Sequence, residues 1–123
     1  MDISLKKTLS LAGMFYRRRD TWIRHVIRMK MADPKTDLTH VEKLVAVYIA
    51  EAINPKSGFW VVSQARISQD LGVTVRVVRN AVTKLRNMGL ITTERVKVAG
   101  HSKRFNAYVI VPVELAEPIV RGT

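Results

Sequence analysis

At 123 residues the chain has room for one domain with a short appended segment, and its 47% apolar fraction is enough to build a core. It contains no cysteine, which excludes disulfides, thiol nucleophiles and zinc sites with cysteine ligands. Lysine and arginine number 21 against 10 acids, a formal net charge of +11. Self-repulsion on that scale points to a polyanionic partner, with nucleic acid ahead of an anionic membrane or an acidic protein.

Residues 1–19 read as a basic and apolar arm. Leu5, Leu9 and Ala12 have loose helical spacing, Gly13 weakens a long helix, and Tyr16 is followed by Arg17, Arg18 and Arg19. "TLSLAGMF" is too short for a secretory leader, lacks an A-x-A cleavage pattern and runs into the arginines. No apolar run approaches the roughly 18–20 residues of a membrane span, so a soluble, cytoplasmic, nucleoid-associated protein is expected. Basic arms of this kind enter an adjacent minor groove, which gives Arg17, Arg18 and Arg19 a functional reading beside that of a charged junction.

Asp20 is placed to N-cap a helix over 21–31, with Ile23, Val26, Ile27 and Lys30 on one face and Arg24 and Arg28 outward. Proline in "ADPKTD" ends it. Thr39 and Glu42 have capping-box spacing for a second helix, in which Val41, Leu44, Val45, Tyr48, Ala52 and Ile53 recur at core intervals. "NPKSG" stops it, and "FWVV" reads as a short strand. Trp22 and Trp60 belong to the core or its edge. Ser63 caps a third helix to Leu71, whose inward residues are Ile67 and Leu71.

Gly72 then interrupts the helical pattern. It supplies a positive φ without steric cost, Val73 plugs the turn, and Thr74 caps a fourth helix to about Met88. Two short helices joined by a glycine turn are a helix-turn-helix, which presents its second helix to a major groove. Val78, Ala81, Val82 and Leu85 repeat inward. Of the outward residues, Val75, Arg76, Val77, Arg79 and Asn80 lie at the leading end and are assigned to base edges. Arginine pairs with guanine, asparagine with adenine, and valine packs on a thymine methyl. Lys84, farther along, is assigned to phosphate, with Thr74 and Thr83 as further backbone contacts. Ser63, Gln64 and Arg66 at the preceding helix's first turn are assigned likewise. No acid occurs between Leu71 and Glu94. "LITTERVKV" and "RFNAYVIV" form a hairpin around the basic "AGHSK", and residues 113–123 form a proline-containing tail.

The run "LGVTVRVVRNAVTKLRNMGLI" resembles the winged helix-turn-helix of many small bacterial and phage DNA-binding proteins. It is similar to the modules of GntR-type regulators and of phage and plasmid replication proteins, over about Thr39–Val111. The resemblance implies an α+β, mostly helical fold, a winged helix-turn-helix over 20–112 with a C-terminal β-hairpin wing. It further implies that Lys97, His101, Ser102, Lys103 and Arg104 of the wing touch phosphate or the minor groove. Val75 and Val77 depart from the pattern, because polar residues are common there, and the large effector domain of GntR-type regulators is not seen.

No histidine ligand spacing, phosphate loop, G-x-S-x-G or carboxylate pair is present, so no cofactor, metal or enzymatic activity is expected. The expected function is sequence-specific binding of double-stranded DNA by a transcriptional regulator. It would act alone or as a homodimer, with a contact to RNA polymerase or a replication protein. A replication, maintenance or recombination factor and a protein-interaction adaptor are the alternatives.

Overall fold

The computed structural model describes residues 3–29 and 38–113. Helix α1 (Ile3–Ile27) is followed by α2 (His40–Ala52), strand β1 (Trp60–Val62), α3 (Gln64–Leu71), α4 (Val75–Asn87), β2 (Ile91–Lys97) and β3 (Arg104–Ile110). This is the expected α+β arrangement, with a hairpin behind the helices. Lys30 and residues 114–123 of the tail lie outside the described residues, as do the side chains of Leu5, Leu9 and Ala12.

The first helix corrects the expected start at Asp20. That residue is interior to a helix of 25 residues, and the expected arm is continuous with it. The 19/20 boundary therefore falls within one element. Gly13 costs only about 1 kcal/mol against alanine in a helix. The leucines, methionine and arginines around it favour helix, and Phe15, Trp22 and Val26 add tertiary packing beyond it. The helix also ends earlier than expected. Lys43 reaches across from α2 and donates through Nζ to Ile27 O at 2.7 Å and Met29 O at 2.6 Å. Ile27 is 52% exposed and not part of the core face, which Trp22 and Val26 form at 0% exposure.

Thr39 begins α2 with the expected capping box. Its hydroxyl accepts the Glu42 N–H at 3.2 Å, and the Glu42 carboxylate accepts the Thr39 N–H at 2.9 Å. The inward face is rotated from the expected one. Val45, Ala46, Ile49, Ala50 and Ile53 are buried, while Val41 and Leu44 are exposed. "LVAVYIA" is apolar all round, so intervals of three and four residues fit more than one stripe. Packing against α1 and α4 selects the one rich in alanine and β-branched side chains.

The sheet has the order β1-β3-β2, antiparallel throughout, with Trp60 opposite Tyr108, Ile91 opposite Ile110 and Lys97 opposite Arg104. One sheet face carries Ile91, Tyr108 and Ile110 into a core shared with Ile49, Ile67, Val78 and Leu85. Trp22 is fully buried and donates Nε1–H to Leu90 O at 3.0 Å, which ties α1 to the junction between α4 and β2. Trp60 is half-buried, edge-on to Tyr48.

Candidate nucleic-acid interface

The turn before α4 is built as the sequence dictates. Ser63 caps α3 by accepting the Arg66 N–H at 3.1 Å, and Gly72 ends that helix in the left-handed region at φ 70° and ψ 30°. Ser68 O accepts the N–H groups of Gly72 and Val73 at 3.0 and 3.2 Å. Ser68 Oγ donates to Val73 O at 2.5 Å and closes the turn. Thr74 Oγ1 accepts the Val77 N–H at 3.2 Å and starts α4. Each capping hydroxyl gives one acceptor site to the backbone and keeps its O–H available to donate.

Val78, Ala81, Val82 and Leu85 are buried, so α4 sits on α2 and α3 by the expected face. At 3.6 residues per turn, the stripe opposite that face is Arg76, Asn80, Thr83 and Asn87, all exposed. Arg79 is exposed on its flank. Val75 is 36% exposed beside the buried face, and Val77 is half-buried. Of the five residues assigned to base edges, the structure brings Arg76, Arg79 and Asn80 together on the outward surface and sets the two valines at its margins. Asn87 lies beyond the leading end of the helix and so escapes the sequence reading; its i+11 spacing from Arg76 carries the signal.

Lys84 is turned toward α2, where its Nζ lies 3.1 Å from Glu42 Oε1 in a partly buried ion pair. Arg66 is likewise engaged, with Nε 3.1 Å from Asp70 Oδ2, though its side chain stays 64% exposed. The Tyr48 hydroxyl donates to the same carboxylate oxygen. That hydrogen bond is the main cause that raises the Tyr48 phenol above its ordinary value of 10.0, with burial and the Asp70 charge adding to it. The same bond leads the causes that hold Asp70 below its ordinary 3.8, with Arg66 assisting.

The hairpin loop turns at Gly100, with φ 85°, and His101 N–H donates to Val98 O at 3.0 Å. Lys97, His101, Ser102, Lys103 and Arg104 are all exposed. His101 stands edge-on to Phe105 at 5.3 Å, giving it a packing contact as well as a loop position. Lys103 and Arg104 come together with Ser63, Gln64 and Arg95 around a cleft of about 240 Å³ between the wing and the start of α3. Arg95 is not among the residues that the sequence singles out. Alternation along β2 sets it on the same face as Thr93 and Lys97, opposite Asn106, which is the signal that could have found it.

Arg17, Arg18 and Arg19 lie on α1 and not on an extended arm. Arg17 and Arg18 are exposed, while the Arg19 guanidinium lies 4.8 Å over the Tyr16 ring and 6.0 Å from that of Phe15. Arg19 Nε is buried with no hydrogen-bond partner among the described residues. No helix among the described residues is long and apolar enough to cross a membrane, and no group of His, Asp or Glu there could hold a metal ion.

Residues 36–91 match the family model described as a helix-turn-helix domain. No curated protein shows significant similarity to the chain. The matched segment runs through α2, β1, α3 and α4 to the first residue of β2, and the hairpin that follows is placed as a wing. A helix-turn-helix presents its second helix to a DNA groove, which supports DNA as the partner. The chain thus carries a helix-turn-helix domain, and the small sheet after its helices fits a winged helix-turn-helix.

Proposed function

We propose that this chain is a sequence-specific double-stranded DNA-binding protein that regulates transcription by occupying an operator. The observation that carries the reading is the acid-free outward stripe of α4, Arg76, Asn80 and Thr83 with Arg79 beside it, set forward by the Gly72 turn. Arg76 and Arg79 suit guanine O6 and N7, and Asn80 suits adenine N6 and N7. Val75 offers a margin of apolar surface to a thymine methyl.

Backbone contacts follow from the cleft beside the wing. Ser63 O–H, Gln64, Arg95, Lys103 and Arg104 converge there on a volume that suits a phosphate group. Thr74 caps the helix just before the stripe and Thr83 lies within it, each offering a hydroxyl to the DNA backbone, and Lys97, His101 and Ser102 extend the wing's surface. Lys84 is assigned to the fold, through Glu42, and not to phosphate. The role is binding rather than catalysis.

Selection from a randomised duplex library tests the reading. A sharply enriched motif is expected, and its symmetry reports whether a homodimer binds. Enrichment of no motif removes the operator-binding role.

A further inference from the structure

The exposed side of α1 carries a basic row that the interface above does not use. Phe15, Trp22 and Val26 turn one face of the helix to the core. On the opposite face Arg17, Thr21 and Arg24 follow at intervals of four and three residues, Arg28 continues the spacing in the turn just past Ile27, and all four are exposed. The row spans about 16 Å at a rise of 1.5 Å per residue. Its C-terminal half borders an open depression of about 410 Å³ lined by Thr21, Arg24, His25, Arg28, Met29 and Val113. Arg17, Arg24 and Arg28 form no ion pair with a described acid, and Asp20, the one acid of α1, lies beside the row without closing on any of them.

Helix stability accounts for Arg24, which lies in the last turn of α1, but not for the row as a whole. Cations in a last turn complement the negative helix end, but the effect falls off within that turn, and Arg17 lies more than two turns back. The carbonyls at the end of α1 already have a donor in Lys43. The position of the row is equally telling. Trp22 reaches Leu90, just beyond the C-terminus of α4, from the side of α1 opposite the row. The row therefore looks away from that end of α4, while Arg76 sits at the other end, about 16 Å along the helix from Asn87.

We propose that Arg17, Arg24 and Arg28 form a second, sequence-independent phosphate-binding surface, which takes a second segment of duplex while α4 holds the first. It rests on the DNA-binding reading above. Guanidinium groups stay charged and pair with phosphate oxygens through two donors at once. A row of about 16 Å covers about five base-pair rises of 3.4 Å, enough for several successive phosphates. One molecule then bridges two duplex segments.

The test is capture of a fluorescent duplex by protein already bound to a bead-tethered duplex. The wild-type chain is compared with the triple variant Arg17→Gln, Arg24→Gln, Arg28→Gln. The variant is expected to hold the tethered duplex as wild type does and to unfold at the same temperature. Its capture of the second duplex should fall about tenfold or more. The salt slope of that step should fall by about 2–3, at about 0.9 for each phosphate left unneutralised. Capture by the variant equal to wild type, or no capture by wild type, overturns the proposal. If wild type fails to hold even the tethered duplex, the DNA-binding reading itself falls. Vesicles of phosphatidylserine and phosphatidylcholine form a further arm: lost vesicle binding with unchanged duplex capture assigns the row to lipid and also overturns the proposal.

Discussion

Lys84 Nζ lies 3.1 Å from Glu42 Oε1, and that same oxygen accepts the Thr39 N–H at 2.9 Å. One carboxylate therefore closes the N-terminus of α2 and anchors α4 against it. The arrangement gives Lys84 a structural contact between α4 and α2, and the assignment of its charge to the fold rather than to phosphate is a proposal that one variant tests.

Lys84→Met keeps most of the apolar stem and removes the charge. Unfolding monitored by circular dichroism should show a loss of about 0.5–1 kcal/mol, in the range of a partly exposed ion pair. The salt slope of DNA binding should stay at its wild-type value. A drop of about 0.9 in that slope would instead mark Lys84 as a phosphate contact.

The Tyr48–Asp70 pair gives stability a dependence on pH at both ends. Asp70 is held below 3.8, so its contribution is present above that value and is lost as pH falls through the lower folded value. Tyr48 is raised above 10.0, so its contribution is full below pH 10.0 and is lost as pH rises through the higher folded value. Tyr48→Phe should flatten both limbs in a series of thermal melts. An unchanged alkaline limb in the variant would show that Tyr48 does not titrate with folding.

Gly72→Ala tests the turn. Open space surrounds the position, with nothing within 4 Å of an added Cβ, so the cost is confined to the backbone at φ +70°. About 1–2 kcal/mol of stability should be lost. Gly72→Asn should cost less, because asparagine tolerates the left-handed region better. Equal losses for the two variants in denaturant titrations would contradict a purely conformational origin.

Trp22→Phe removes the donor to Leu90 O but keeps an aromatic ring in the core. Leu90 O still accepts the Val111 N–H at 2.9 Å, so the carbonyl is not orphaned. A loss of about 1–3 kcal/mol is expected from the missing ring volume and hydrogen bond. Trp22→Ala should cost about 3–5 kcal/mol. A neutral Trp22→Ala in equilibrium unfolding would show that α1 is not part of the cooperative unit.

The helix-turn-helix is legible in the sequence because every local signal there agrees. Thr39, Ser63 and Thr74 cap, Gly72 takes positive φ, and Val78, Val82 and Leu85 have no competing stripe. In α2 the apolar residues surround the helix, so periodicity cannot choose a face, and packing does. In α1 the signals conflict. Gly13 and Asp20 suggest a break that Phe15, Trp22 and Val26 override by burying one side of a continuous helix. The roles of Lys84 and Arg95 are illegible for another reason. Glu42 is 42 residues from Lys84, and the cleft around Arg95 joins β2 to the start of α3. Sequence spacing carries no record of such meetings.

Whether the outward stripe of α4 reads base edges is decided by one experiment. Wild type and Arg76→Ala are titrated in parallel on the selected duplex and on a scrambled duplex, at two salt concentrations. A base-reading Arg76 gives a loss of about 1–3 kcal/mol on the selected duplex, a much smaller loss on the scrambled one, and relaxed preference at one base position. Equal losses on both duplexes, growing alike as salt falls, would reduce Arg76 to a phosphate contact and contradict base reading by the stripe.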